Sequence, residues 1–207
     1  MANSNTVKVW DLPVRIFHWS LVVCFAIAYL SGEELETLHA WFGYVVGALI
    51  SFRLVYGFVG SKYARFSDFV YSPAAVIAYL KSLFSGSPKH YLGHNPAGGW
   101  MIIVLLVSLA VSTWSGLKAY ADEGHGPLAA ADVSIISTAY ADNDEEGEGQ
   151  MSGKQGEEDE FWKEVHEISV NFTLLMVFIH IAGVVVSSRL HKENLVKAMI
   201  TGKKSGE

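Results

Sequence analysis

The chain alternates between long apolar runs and polar stretches. The apolar runs cover residues 14–32, 39–58, 98–117 and 168–188. Each is long enough for a helix to cross a hydrocarbon core of about 30 Å, which takes roughly 17 to 25 residues. None contains Asp or Glu, and Arg15 and Arg53 are the only Lys or Arg within them. The pattern predicts an all-α integral membrane protein, a four-transmembrane-helix bundle forming one domain over residues 1–207, in contact with membrane lipid. The first run outlasts a signal-peptide core and leads into Glu33-Glu34 instead of a small-residue cleavage site, so it is read as a retained span. A Pro-started apolar stretch at residues 72–84 is too short to cross and reads as an interfacial helix. No internal repeat is apparent.

Composition sharpens this picture. Only 17% of the 207 residues are charged, against about 25% in soluble domains. A net charge of −6 supplies no basic excess for a nucleic-acid backbone, so no nucleic-acid partner is expected. The single cysteine, Cys24, excludes an internal disulfide framework and a Cys-only metal cluster, and its mid-span position reads as a small packed apolar residue. No C-x-x-C-H occurs, which excludes covalent attachment of c-type haem.

Charge also sets the expected orientation. Placing the N-terminus, the loop at residues 59–97 and the C-terminal tail on one side collects 12 of the 15 basic residues there. The opposite side holds 17 of the 21 acidic residues, most of them in the acidic segment at residues 121–161. Both termini are therefore expected in the cytoplasm, with the acidic segment outside. That segment reads as a solvated, partly disordered loop, or alternatively as an electrostatic docking patch for a basic protein.

The candidate chemistry lies in histidine. His166 and His180 are 14 residues apart, about 21 Å along a helix axis and within about 40° of one face. With the orientation above, His18 and His180 share the cytoplasmic level, while His39 and His166 share the outer one. Cross-pairing would stretch the ligands over most of the membrane, so the spacing supports two stacked bis-histidine sites. Bis-imidazole coordination in a helix bundle suits non-covalent haem. The alternative is a histidine-liganded metal-binding or transport protein, against which the lack of carboxylates in the spans weighs.

Other residues support this reading less strongly. Gly43 and Gly47 follow His39 as G-x-x-x-G, which makes a recess for a flat macrocycle or an ordinary close helix contact. Arg53 falls on the His39 face about 21 Å deeper, and Arg15 one turn before His18; each is a candidate partner for a haem propionate or a snorkelling anchor. His94, in the turn-rich stretch before the third span, helps shape a site or is a solvated loop residue. His90, His125 and His191 have no partner matched in depth and read as surface residues. Trp10, Trp19, Trp41, Trp100, Trp114 and Trp162 lie mostly near span ends, as interfacial anchors do.

Several stretches together resemble the bacterial cytochrome b561 group, which includes the b-type cytochrome subunits of nickel-iron hydrogenases. They are Val9-Trp-Asp-Leu-Pro-Val-Arg-Ile-Phe-His-Trp19, His39 with Gly43, Arg53-Leu-Val-Tyr-Gly-Phe-Val-Gly-Ser61 continuing into Tyr63-Ala-Arg-Phe66, Gly93-His-Asn-Pro-Ala-Gly-Gly99, and His166 to His180. The resemblance implies a dihaem cytochrome of the bacterial inner membrane with two non-covalent haem b. It implies His18, His39, His166 and His180 as axial ligands, and electron exchange with quinone or quinol. The redox partner it implies is a c-type cytochrome or a dehydrogenase- or hydrogenase-type protein. No catalytic side chain is assigned: the chain reads as an oxidoreductase-type electron carrier or a subunit of a larger redox complex. The acidic segment is longer than expected for the simplest members.

Overall fold

The computed structural model describes residues 6–32, 34–86, 88–129 and 148–205. In chain order it forms strand β1 (Thr6–Lys8), helices α1 (Leu12–Ser31) and α2 (Glu36–Val59), a 3-10 turn (Lys62–Ala64), α3 (Phe66–Phe69), α4 (Pro73–Phe84) and α5 (Pro96–Asp122). A helical segment over residues 126–129 (α6), α7 (Glu148–Leu190), α8 (Leu195–Thr201) and β2 (Lys203–Ser205) follow. Four helices are long and apolar enough to cross a membrane: Leu12–Ser31, Glu36–Val59, Pro96–Asp122 and the Glu160–Leu190 part of α7. The protein is a multi-pass membrane bundle.

Local chemistry starts these helices. Asp11 accepts from the Val14 N–H at the head of α1, Ser72 from Ala75 at α4, and Asn95 from Gly98 at α5. Each is followed by proline in the first turn, where its missing N–H costs nothing. Asp11 also accepts a 2.5 Å hydrogen bond from the Tyr56 hydroxyl, which ties α1 to α2. Burial pulls the Asp11 carboxyl up, but the hydrogen bonds from Ser61, Tyr56 and the Val14 N–H outweigh it and hold the group below the ordinary carboxylate value.

Packing is uneven. Cys24, Val46, Ile50 and Leu109 form a core where α1, α2 and α5 meet. At the α5–α7 contact, small polar residues let the backbones approach: Ser112 Oγ lies 3.0 Å from Ser169 Oγ and 3.5 Å from Thr173 Oγ1. Gly47 of α2 sits against Thr113 of α5 at a spacing that leaves a methyl group only 3.0 Å from the threonine methyl. By contrast, α7 has no comparable packing against α1 or α2 among the described residues. The bundle packs in the order α1–α2–α5–α7, with sparse contact between α7 and the first two helices among the described residues. Side chains such as Leu30, Phe58 and Val59 face outward and are exposed to the surroundings, as expected for helices whose solvent is lipid.

Three features differ from the sequence expectation. The fourth helix starts at Glu148, far ahead of the apolar run. The flanks of the acidic segment are thus helical, while its centre, residues 130–147, lies outside the described residues. Second, the two ends of the chain pair: Thr6 opposes Ser205 and Lys8 opposes Lys203, and the Gly202 carbonyl accepts from the Val9 and Trp10 N–H groups. Third, Trp10 is no interfacial anchor. It is buried with Val9 and Ala198 in a small core beneath this terminal clasp. The clasp marks what is called below the tail end of the bundle; the other end is the distal end.

Candidate haem sites at the two ends of the bundle

At the distal end the structure brings His39 of α2 and His166 of α7 together, their ring centres 5.8 Å apart and their planes nearly perpendicular. Both rings are oriented the same way. His39 Nδ1 lies 2.8 Å from the Ala28 carbonyl oxygen, and His166 Nδ1 lies 2.8 Å from that of Ser112. A carbonyl accepts only, so each Nδ1 carries the proton and donates, which leaves each Nε2 with a free lone pair. A backbone carbonyl behind Nδ1 fixes the tautomer and raises the basicity of the opposite nitrogen, the arrangement found behind metal-ligating imidazoles. Two iron–nitrogen bonds of about 2 Å with the ring radii put such centres roughly 6 Å apart. The donor set and its spacing fit an iron held between the two rings.

The surroundings also fit. Gly116 of α5 lies against His166: a Cβ there would stand 2.8 Å from Cε1 and 2.9 Å from Nδ1. The G-x-x-x-G of α2 divides into two roles. Gly47 makes the close contact with Thr113, whereas a Cβ at Gly43, one turn beyond His39, would meet nothing within 4 Å. Gly43 therefore borders open space next to the ligand, as a recess for a macrocycle requires.

At the tail end His18 of α1 and His180 of α7 lie within electrostatic range of one another. His18 Nδ1 is shielded from solvent and has no hydrogen-bond partner among the described residues. Arg53 is buried at 3% exposure, with Nη2 donating to the Ala64 carbonyl at 3.0 Å and Nη1 unpartnered. Its guanidinium lies 5.1 Å from the Phe66 ring centre and 5.7 Å from that of Phe69. The other arginine singled out above behaves differently: Arg15 donates to the Ile200 carbonyl, so it ties α1 to the C-terminal segment.

His94 is not a solvated loop residue. Its ring packs 4.4 Å from Trp10 and 4.8 Å from Phe69, and its Nδ1 is shielded and unpartnered. Burial first, then the charges of Arg53, Lys204 and His180, push it down to about 3, so the ring is neutral. The three histidines read as unpartnered surface residues also have neighbours. His90 lies 3.1 Å from Glu193 and 5.2 Å from the His191 ring, and Glu193 lies 3.1 Å from the buried ammonium of Lys204. His125 stacks on Tyr120 and stands 3.8 Å from Glu36. These contacts join residues up to about a hundred positions apart, which no local spacing reveals. The backbone acceptors Ala28 and Ser112 were equally invisible, because a carbonyl carries no sequence label; Gly116, a lone glycine in an apolar run, was the one available signal.

Comparison with known proteins agrees with this chemistry. The family model described as prokaryotic cytochrome b561 matches residues 9–202. The chain is 24% identical to the "Probable Ni/Fe-hydrogenase B-type cytochrome subunit" of Azotobacter vinelandii, over 96% of this chain and 88% of that one. It is 23% identical to the protein of the same name from Bradyrhizobium diazoefficiens, over 96% and 86%. No solved structure matches the chain. With four membrane-crossing helices and a family model covering nearly its whole length, the chain belongs to the prokaryotic cytochrome b561 family of membrane haem electron-transfer proteins.

Proposed function

We propose that this protein is a dihaem b-type cytochrome that carries electrons across the bilayer between the quinone pool and a redox partner protein. His39 and His166 hold the distal haem, and His18 and His180 the one at the tail end. The observation that carries the reading is the pair His39 and His166, their ring centres 5.8 Å apart and their planes nearly perpendicular, with both Nδ1 atoms bonded to carbonyls. The second site follows from α7, which presents His180 about 21 Å further along its axis, a distance that covers most of a core of about 30 Å. The sparse contact between α7 and the first two helices supports a placement of both macrocycles between them.

Haem b supplies a one-electron iron couple when bound. The chain's own residues do the rest. The Ala28 and Ser112 carbonyls strengthen their imidazoles as donors, and the apolar helix faces exclude water from between the helices. Arg53 places a buried positive charge near the tail-end site, which favours the reduced iron. Quinone or quinol reacts near one haem, and the partner exchanges electrons at the other. The names of the relatives favour a hydrogenase as that partner. The chain resides in the bacterial inner membrane with both termini in the cytoplasm, because the tail end carries the excess of Lys and Arg.

The quinone link is tested by placing purified protein in liposomes and adding a ubiquinol or menaquinol analogue. The expected result is reduction of haem b within the mixing time or seconds after it, seen as the reduced-minus-oxidised spectrum. Haem that dithionite reduces but neither quinol does would contradict the link while leaving the cytochrome assignment standing.

A further inference from the structure

Four shielded side-chain nitrogens have no hydrogen-bond partner among the described residues: Arg15 Nε, His18 Nδ1, Arg53 Nη1 and His94 Nδ1. Arg53 is a buried guanidinium whose Nη1 has no partner, and His94 is a neutral imidazole whose Nδ1 has none. They come from different elements, α2 and the loop before α5, and α3 brings them together. Phe69 packs on the His94 ring and on the Arg53 guanidinium, and Arg53 acts electrostatically on His94. The tight seat of α3 fixes this geometry: a Cβ on Gly99 would stand 2.1 Å from the Phe69 carbonyl oxygen, so only glycine permits the approach.

A buried cation with an unmade hydrogen bond is costly, on the order of several kcal/mol, unless an anion completes it. Among the described residues no carboxylate lies within ion-pair distance of Arg53. Asp11, the carboxylate that acts on it electrostatically, is committed to Tyr56, Ser61 and the Val14 N–H. His94 lies within electrostatic range of His180, as His18 does, so His94 links the Arg53 cluster to the tail-end pair. Asn95 caps α5 immediately after His94, which adds the positive end of a 27-residue helix dipole.

We propose that Arg53 and His94 form a carboxylate cradle, in which Arg53 Nη1–H and His94 Nδ1–H donate to the propionates of the haem seated between His18 and His180. This rests on the dihaem reading above and assigns His94 a positioning role that its loop location conceals. Arg15 donates one guanidinium N–H to the Ile200 carbonyl and belongs to the terminal clasp, with its Nε shielded and unpartnered among the described residues.

The test compares His94→Phe, which keeps an aromatic ring but loses the donor, with His94→Gln, which keeps a donor, and with Arg53→Gln. Each full-length protein is purified, its haem b counted, and its two potentials titrated. In His94→Phe and Arg53→Gln the reduced-to-oxidised ratio of the tail-end haem at fixed potential should fall about tenfold, a shift of ~59 mV for one electron. The distal haem should be unchanged, and His94→Gln should stay close to the wild type. Unchanged potentials in both His94→Phe and Arg53→Gln, or equal loss in His94→Gln and His94→Phe, would overturn the cradle. If the variants fail to accumulate, wild-type apoprotein is titrated with haem and with its dimethyl ester. The cradle requires the ester to bind the tail-end site at least tenfold more weakly, and equal binding would overturn it. Wild-type protein devoid of haem b would instead refute the dihaem reading itself, so the two failures are distinguishable.

Discussion

Replacing His166 with leucine is expected to halve the haem b bound per chain, and replacing His166 and His180 together to abolish it. The reasoning is geometric. Each end of α7 supplies one imidazole to one iron, and the two ends are about 21 Å apart, so neither can substitute for the other. The pairing makes a sharper prediction than simple loss. His39→Leu and His166→Leu should remove the same spectral component, and the double variant should remove no more than either single one. His39→Leu combined with His180→Leu should remove both components. Leucine keeps the bulk of the side chain in an apolar setting, so membrane insertion should persist. Haem content by pyridine haemochrome, with a difference spectrum for each variant, checks the whole set. Loss of both components from His39→Leu alone, or additive loss in the His39 and His166 double variant, would contradict the assignment.

The second large effect is expected at a residue that coordinates nothing. Gly116→Val should empty the distal site while leaving the tail-end haem in place. A Cβ at position 116 would meet the His166 ring at 2.8 and 2.9 Å, and the two further methyl carbons of valine leave the ring no room to stay. The ring must turn, which breaks its bond to the Ser112 carbonyl and points Nε2 away from His39. Overpacking of this kind costs about 1–3 kcal/mol, too little to unfold a four-span bundle. The measurement is the haem count together with the amount of inserted protein: about one haem b per chain at near-normal abundance is expected. Two haems per chain would show that the His166 orientation seen here is not needed for binding.

Much of this architecture was legible in the sequence because its governing forces are local. A run of about 20 apolar residues has few alternatives to a spanning helix, and helical periodicity fixes the relative level of His166 and His180 without tertiary information. The depth of His18 and His39 followed from charge asymmetry between loops. What the sequence concealed depends on contacts across long separations. The pairing of Thr6–Lys8 with Lys203–Ser205 involves three-residue strands, too short to show alternation. The shielding of His94 comes from Trp10 and Phe69, which belong to two other elements. Arg15 and Arg53 looked equivalent as basic residues near a span end, yet Arg15 reaches a tail carbonyl far along the chain while Arg53 is buried against Phe66 and Phe69. The acidic approach to the fourth span looked like solvated loop because charged residues dominate it, whereas its C-terminal part continues the helix that presents His166.

The central claim, two histidine-ligated haems in one chain, is tested most directly by stoichiometry. Purified full-length protein, quantified by amino-acid analysis and assayed as pyridine haemochrome, should contain two haem b per polypeptide, and a redox titration should resolve two one-electron steps. One haem per chain, or stoichiometric zinc or copper with no haem, would contradict the account.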